Sequence, residues 1–440
     1  MNVTDLPAPD TATAYLPLRK VIAVGVGNAL DFYDFLTYSF FAVQISHCFF
    51  PAGATSHGLL YSLATFGVGF LTRPLGAIVI GLYGDRAGRR AAMVLSFSLM
   101  GAAITGLALT PSYAQIGVWA PVLLVLFRLV QGFALGGEVG PSTAFLIEAA
   151  PPLRRGLYVS LQFATQDAAV LCAGLAGFAL SNWLDAAALD AWGWRLAFLL
   201  GAAIVPLGLA MRRNLPETLS PASIQANAPR PRVPVRVAVL GVMMLGAALI
   251  CAYGLNYLTT FAQDSLHMPA NLAFGATVVL GLTLMVCDVL AGVLSDRFGR
   301  KPVMLSAVVL LVLLVVPGFM VMVQRPSAAC VYAVTALLAV GEALATGPAL
   351  ITITELLPAP IRSAGLGAIY AVAATVLGGS TQFMIKFLGD MTGSKLAPAW
   401  YLTVALAIGA VAMLLVRETA PVKSRCKPNP GPLPGEAGRL

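Results

Sequence analysis

The sequence predicts an all-α membrane protein of twelve transmembrane helices in two pseudo-symmetric six-helix bundles, and three observations carry that reading. Of 440 residues, 58% are hydrophobic and only 10% are charged. A water-solvated domain needs about 25% charged residues, so most of this surface must face lipid. Apolar runs of roughly 20 residues, the length that crosses a bilayer core, recur along the chain. Finally, Gly81-Leu-Tyr-Gly-Asp85-Arg86-Ala-Gly-Arg89-Arg90 returns as Gly292-Val-Leu-Ser-Asp296-Arg297-Phe-Gly-Arg300-Lys301, an offset of 292 − 81 = 211 residues. Both copies are short, charged, glycine-bearing turns between apolar runs. A motif that repeats at about half the chain length means two related halves.

Taken in order, residues 1–20 are polar, carry Pro and Asp, and lack a small-residue cleavage site after an apolar core. They read as a cytoplasmic segment and not as a signal peptide. Six spans are expected near 21–43, 59–81, 91–109, 118–147, 157–180 and 196–211, making a first bundle over 21–211. Residues 212–236 interrupt the pattern with five prolines and five arginines and read as a cytoplasmic linker. Six more spans follow near 237–261, 272–294, 303–323, 331–356, 366–388 and 401–416, making a second bundle over 237–416. Residues 417–440, rich in Pro, Gly and Lys, are expected to be a disordered cytoplasmic tail.

Lys and Arg orient the chain. With the N-terminus inside, Arg19, Lys20, Arg86, Arg89, Arg90, Arg154, Arg155, the linker arginines, Arg297, Arg300, Lys301, Arg362 and the tail's basic residues all fall on the cytoplasmic face. The opposite face receives little beyond Arg195, Arg325 and Lys395. That asymmetry predicts both termini inside. It also explains the net charge of +8 without a nucleic-acid partner, since the basic residues are divided among short loops. The six cysteines show no paired or metal-ligand spacing, and the three histidines, His47, His57 and His267, fall in or beside expected external loops. There is no Gly-x-x-x-x-Gly-Lys-Ser/Thr phosphate loop. No cofactor, metal or enzymatic centre is expected, and the chain is read as a monomer in a bilayer.

The repeat extends beyond the loops. Glu148-Ala-Ala-Pro151 with Arg155 matches Glu355-Leu-Leu-Pro358 with Arg362, and Gly140-Pro141 matches Gly347-Pro348, each at an offset of 207 (355 − 148; 347 − 140). Spans four and ten are therefore equivalents. Parallel repeats of this kind place a substrate site near mid-membrane at their interface.

Charged residues inside the spans are costly in hydrocarbon and default to functional hypotheses: Asp31, Asp34, Glu138, Asp167, Asp288, Glu342, Arg73, Arg128 and Lys386. Gly27, Asp31, Asp34 and Tyr38 follow helical spacing on span one. Arg128, Gln131 and Leu135 share a face of span four, with Glu138 a turn beyond. Span five carries Gln162 and Gln166 at i and i+4, and span seven carries Tyr253, Asn256, Tyr257 and Thr260. Arg128 either pairs with Asp31 or Asp34 to hold the first half together or grips an anionic substrate. Arg73, followed by Pro74, reads as structural. Gly132, Gly136 and Gly140 are spaced for close helix contact, and Lys386 for snorkelling. Asp288 and Glu342 have no clear basic partner in sequence, which leaves proton binding and an internal hydrogen bond equally open.

The paired loops resemble the signature of the major facilitator superfamily. Gly27-Asn28-Ala-Leu-Asp31-Phe32-Tyr33-Asp34-Phe35, Phe49-Phe50-Pro51, Arg73-Pro74-Leu-Gly76 and Arg128-Leu-Val-Gln131-Gly132-Phe133 to Gly137-Glu138 further resemble its metabolite:proton symporter family, including the citrate and tricarballylate carriers of that family. The likeness runs over about residues 20–420 and includes Trp192-Gly193-Trp194-Arg195 and Pro398-Ala-Trp400. Two departures stand out: the family usually has Glu at the position of Asp31, and the long helical C-terminal extension of its osmosensing members is missing. The resemblance implies that Asp85, Glu148, Asp296 and Glu355, partnered by Arg89 and Arg300, gate the cytoplasmic ends of the bundles.

The expected function is proton-coupled import of a small organic acid, a di- or tricarboxylate such as citrate or tricarballylate, by alternating access across the cell's inner membrane. Arg128, Asp31, Asp34, Tyr33, Gln131, Gln162, Gln166, Asn256, Tyr257 and Thr260 are the expected substrate contacts, and Asp31, Asp34 and Glu138 the expected proton carriers. The alternative is a symporter for a zwitterionic osmolyte or a monocarboxylate. A transporter-like receptor or membrane enzyme would need a large extramembrane domain or a catalytic cluster, and the sequence has neither.

Overall fold

The computed structural model describes residues 29–424 except 30, 31, 34, 51–54, 88, 137–142, 145, 149, 214–232, 359 and 360. Among these residues eight helices are each long and apolar enough to cross a bilayer. Helices also stand where spans three, four and six are expected, Arg89–Leu109, Trp119–Leu135 and Trp194–Arg213, while span one shows helical residues 32, 33 and 35–40 and continues past its expected end as Ala42–Phe49. The helices run past the expected limits, because the polar residues that flank a span still satisfy their backbone by helical bonds. Span five is thus Arg155–Trp183, span eight Ala270–Phe298 and span ten Ala328–Leu356.

Three spans are interrupted along their length. Span two divides at Thr72 into Thr55–Leu71 and Arg73–Ala87. Span seven divides at Tyr257 into Val235–Asn256 and Leu258–Asp264. Span eleven runs from Arg362–Val372 through a wide π turn, Ala373–Gly378, to Thr381–Thr392. Interrupted helices inside a membrane protein are tolerated where they line a buried cavity or are re-satisfied by neighbours, and spans two, seven and eleven meet one another at the centre of this one.

Side chains sort by solvent as the composition demands. Leu282, Val286, Leu290 and Val293 on span eight and Val404, Ile408, Val411 and Leu415 on span twelve are exposed stripes at helical spacing. In water such stripes would aggregate; here they are the lipid face. The two halves are joined chiefly along spans five and eight, where small residues let the backbones touch. A methyl group on Gly281 would stand 2.4 Å from the Leu171 nitrogen, and one on Gly156 would stand 2.4 Å from the Gly292 carbonyl oxygen.

The second signature loop is a one-residue turn. Span eight ends at Phe298, Gly299 adopts φ +103°, and span nine, Arg300–Gln324, begins at once. That positive φ is open to glycine and strained for other residues. The tail departs from expectation. Glu418 accepts hydrogen bonds from the Arg300 and Lys301 backbone N–H groups at 2.9 and 3.0 Å, and Pro421–Ser424 forms a helical turn. Its first residues are ordered because their carboxylate satisfies the orphan donors at the start of span nine.

Candidate functional site

Spans two and four pack with backbones in contact, and this places two arginines on one aromatic ring. A methyl group on Gly132 would lie 1.5 Å from the Gly69 carbonyl oxygen, and one on Gly136 would lie 2.1 Å from that of Arg73. Gly140 lies outside the described residues. From span four, the Arg128 Cζ stands 4.3 Å from the Phe35 ring centroid, 4.6 Å from that of Tyr38 and 5.0 Å from that of Phe66. From the break in span two, the Arg73 Cζ stands 4.5 Å from the same Phe35 centroid and 4.1 Å from that of Phe70. Both side chains are buried, Arg128 with no exposure at all and Arg73 with 5%.

Their hydrogen bonding is incomplete. Arg128 donates to the Gln131 side-chain oxygen at 2.8 Å and to the Phe66 and Phe35 carbonyls at 3.3 and 3.5 Å. Its Nε, the Gln131 Nε2, and the Nε and Nη2 of Arg73 are buried without a partner. No carboxylate among the described residues pairs with either guanidinium. Both Cζ atoms lie within 4.5 Å of one centroid, hence under about 9 Å apart, where two positive charges repel by roughly 2 kcal/mol at an effective dielectric of about 20. Aromatic faces recover part of that cost, but unmet donors at a buried cation remain expensive. An anion seated between them would satisfy both demands.

The second bundle closes over this cluster. Tyr253 of span seven packs edge-on to Phe66 and Phe70, at 5.9 and 5.2 Å between centroids. The Tyr253 hydroxyl and that of Tyr370, on span eleven, lie within reach of Arg73. Gln382, also on span eleven, donates to the Ser39 hydroxyl at 2.5 Å and to the Tyr253 carbonyl at 3.2 Å. Thr260 donates to the Ser39 carbonyl at 3.5 Å. Asn256 is buried beside these residues with an unpartnered Oδ1.

Other expected contacts are placed differently. The Tyr33 hydroxyl donates to the Ala197 carbonyl at 3.0 Å, inside the first bundle. Gln162 accepts from Thr143 at 3.2 Å, Gln166 is half-buried, and Tyr257 is buried at the break in span seven. Asp31, Asp34 and Glu138 lie outside the described residues. Lys386 pairs with Asp264 and Asp390, each at 2.9 Å. Three more carboxyls converge at the seam: Asp167 of span five lies beside Asp288 of span eight, with Glu342 of span ten close by.

At the end bearing the signature loops, the repeated Glu and Arg residues exchange partners between halves. Arg362 donates to Glu148 at 3.0 Å, and Arg155 stands 3.8 Å from Glu355. Each half therefore offers its glutamate to the other half's arginine. Asp296 accepts from the Gly156 and Leu157 backbone N–H groups at 2.9 Å each and from Arg300 at 2.6 Å. It thereby caps span five of the opposite bundle. Arg300 is fully buried and 3.5 Å from Glu355, which also accepts from Thr419 at 2.6 Å. The side chains of Asp85 and Arg89 lie outside the described residues. Polar contacts join the halves at the other end as well, Gln44 with Gln263 at 2.9 Å and Asn182 with Asn271 at 3.3 Å.

Two helical bundles joined at both ends around a buried polar centre define a membrane transporter of the two-bundle type. The Major Facilitator Superfamily profile matches residues 32–381, and the chain belongs to that superfamily, as a multi-pass transporter rather than an enzyme. It is 34% identical over 407 residues to the citrate-proton symporter of Klebsiella pneumoniae, covering 90% of each chain. It is likewise 34% identical to the alpha-ketoglutarate permease of Escherichia coli (strain K12), covering 90% of this chain and 93% of the relative. The proline/betaine transporter of the same organism is 30% identical, with coverage of 92% and 84%. Among solved structures, the crystal structure of a D-xylose-proton symporter superposes with a TM-score of 0.73 at 20% identity, covering 92% of this chain and 98% of that one, a likeness of fold.

Proposed function

We propose that this protein is a proton-coupled symporter that takes up a small organic acid, a di- or tricarboxylate such as citrate, across the inner (plasma) membrane by alternating access, with both termini cytoplasmic. The observation that carries this reading is Arg128: wholly buried, with an unmet N–H and no carboxylate partner among the described residues. A planar guanidinium in that state suits a carboxylate. Similarity to a citrate-proton symporter and to an alpha-ketoglutarate permease supports the same substrate class.

Energetics supply the reason for protons. An inside-negative potential opposes anion entry by about 2.3 kcal/mol per charge for each 100 mV, so a multiply charged anion must enter with protons. Asp31, Asp34 and Glu138 remain proposed carriers, and the Asp167–Asp288–Glu342 group adds carboxyls placed where the bundles meet. The ion pairs around Asp296, Arg300, Glu148 and Glu355 serve as the cytoplasmic gate, together with Asp85 and Arg89.

A second reading, uptake of a zwitterion, is favoured by the likeness to a proline/betaine transporter. The two separate in a thermal-stabilisation panel on the purified protein. Citrate and related carboxylates should raise the melting temperature while proline and betaine leave it unchanged. Stabilisation by the zwitterions alone would overturn the organic-acid reading.

A further inference from the structure

Sequence pattern alone marks Arg73 as a structural residue beside a proline. In the fold it is the counterpart of Arg128. The two guanidiniums come from adjacent spans, lie against one Phe35 ring at 4.5 and 4.3 Å, and are both more than nine-tenths buried. Arg73 leaves Nε and Nη2 unpartnered and Arg128 leaves Nε, so the cluster offers donors from two separate cations. A structural arginine in a membrane core is expected to have a full set of acceptors; among the described residues Arg73 has aromatic faces and two nearby tyrosine hydroxyls instead.

We infer that Arg73 and Arg128 form a two-guanidinium seat, each arginine taking one carboxylate of a single substrate, and that this seat selects diacids over monoacids and zwitterions of the same size. The inference rests on the organic-acid reading above. One arginine alone would grip a monocarboxylate as well as a dicarboxylate. A monoanion between the two cations balances one of their charges, whereas a dianion balances both and places one carboxylate on each fork, and that difference sets the discrimination. Because the Tyr253 and Tyr370 hydroxyls that reach Arg73 belong to the other bundle, a ligand held by Arg73 also touches the half that must move against it. Occupancy is thereby tied to closure.

The test compares glutarate with its monoamide, which keeps the length and one carboxylate and replaces the other by an uncharged group. Affinities are measured calorimetrically for the full-length protein in nanodiscs. Wild type should bind glutarate at least tenfold more tightly than the monoamide, and in Arg73→Gln that ratio should fall towards one. Arg73→Lys keeps the charge but loses the planar fork and should retain an intermediate ratio. Equal affinity of wild type for the two ligands would overturn the two-arginine seat while leaving the organic-acid reading standing, and this arm needs no variant to fold. An unchanged ratio in folded Arg73→Gln would return Arg73 to a structural role. If neither ligand, nor citrate, binds wild type, both readings fall together.

Discussion

Replacing Asp296 by Asn alters a carboxylate that serves both bundles. In the native protein one oxygen accepts from the Gly156 N–H and from Arg300, at 2.9 and 2.6 Å, and the other accepts from the Leu157 N–H at 2.9 Å. Asparagine keeps one acceptor and turns an NH2 towards a backbone N–H, so at least one bond across the seam is lost along with the charge that strengthens the rest. A hydrogen bond to a charged group contributes about 1.5–3 kcal/mol, which shifts the balance between joined and parted ends by roughly tenfold to a hundredfold. The neighbouring Arg300–Glu355 and Arg155–Glu355 contacts, at 3.5 and 3.8 Å, are too long to make up the difference. Spin labels at Leu153 and Phe298, which are exposed on opposite halves at this end, report the separation by double electron–electron resonance. Asp296→Asn should transfer population to a longer distance with the melting temperature nearly unchanged. A distance distribution identical to wild type would refute the capping role.

Arg128→Lys should yield folded protein whose affinity for citrate is weakened at least tenfold, about 1.4 kcal/mol or more, because lysine lacks the fork that grips a carboxylate; near-normal binding would mark a structural arginine. Asp288→Asn should abolish accumulation driven by a pH gradient while leaving counterflow exchange of substrate measurable, and intact gradient-driven uptake would remove Asp288 from proton coupling. Gly132→Ala places a methyl group against the Gly69 carbonyl oxygen and should destabilise the first bundle by about 1–3 kcal/mol, seen as a lower melting temperature and folded yield. His47, at the end opposite the signature loops, is hydrogen-bonded to Asp190 at 2.9 Å, and this bond holds its protonation above the usual 6.5. The sign follows from that raised value: the pair's contribution is full below pH 6.5 and is lost as pH rises through the higher folded value. An NMR titration should show the midpoint return towards 6.5 in Asp190→Asn, and no change would contradict the pairing.

Much of the architecture was legible because lipid imposes it. Apolar runs, the basic-loop asymmetry and the duplicated motif specify helices and halves without any knowledge of packing. Periodicity also placed Arg128 with Gln131, since residues three apart on a helix must meet. What sequence could not give was the partner across a break or a seam. Arg73 reads as a residue before proline until Gly69, Gly132 and Gly136 bring spans two and four into backbone contact, and only then does it share Phe35 with Arg128. The exchange of Glu148 and Glu355 between Arg362 and Arg155 was latent in the equal seven-residue spacing of both copies (155 − 148; 362 − 355), but which arginine serves which glutamate depends on how the halves face each other. Tyr33, by contrast, was expected as a substrate contact, and its hydroxyl donates to the carbonyl of Ala197 on span six. Glu418 carried no signal, since its value comes from two orphan N–H groups more than a hundred residues earlier in the chain.

The most direct measurement is uptake of radiolabelled citrate into proteoliposomes containing only this protein, with an imposed pH gradient, acidic outside. The account predicts accumulation above equilibrium that collapses when a protonophore is added and that unlabelled dicarboxylates compete away while proline does not. Absence of carboxylate accumulation under that gradient, in vesicles that do concentrate proline or betaine, would contradict it.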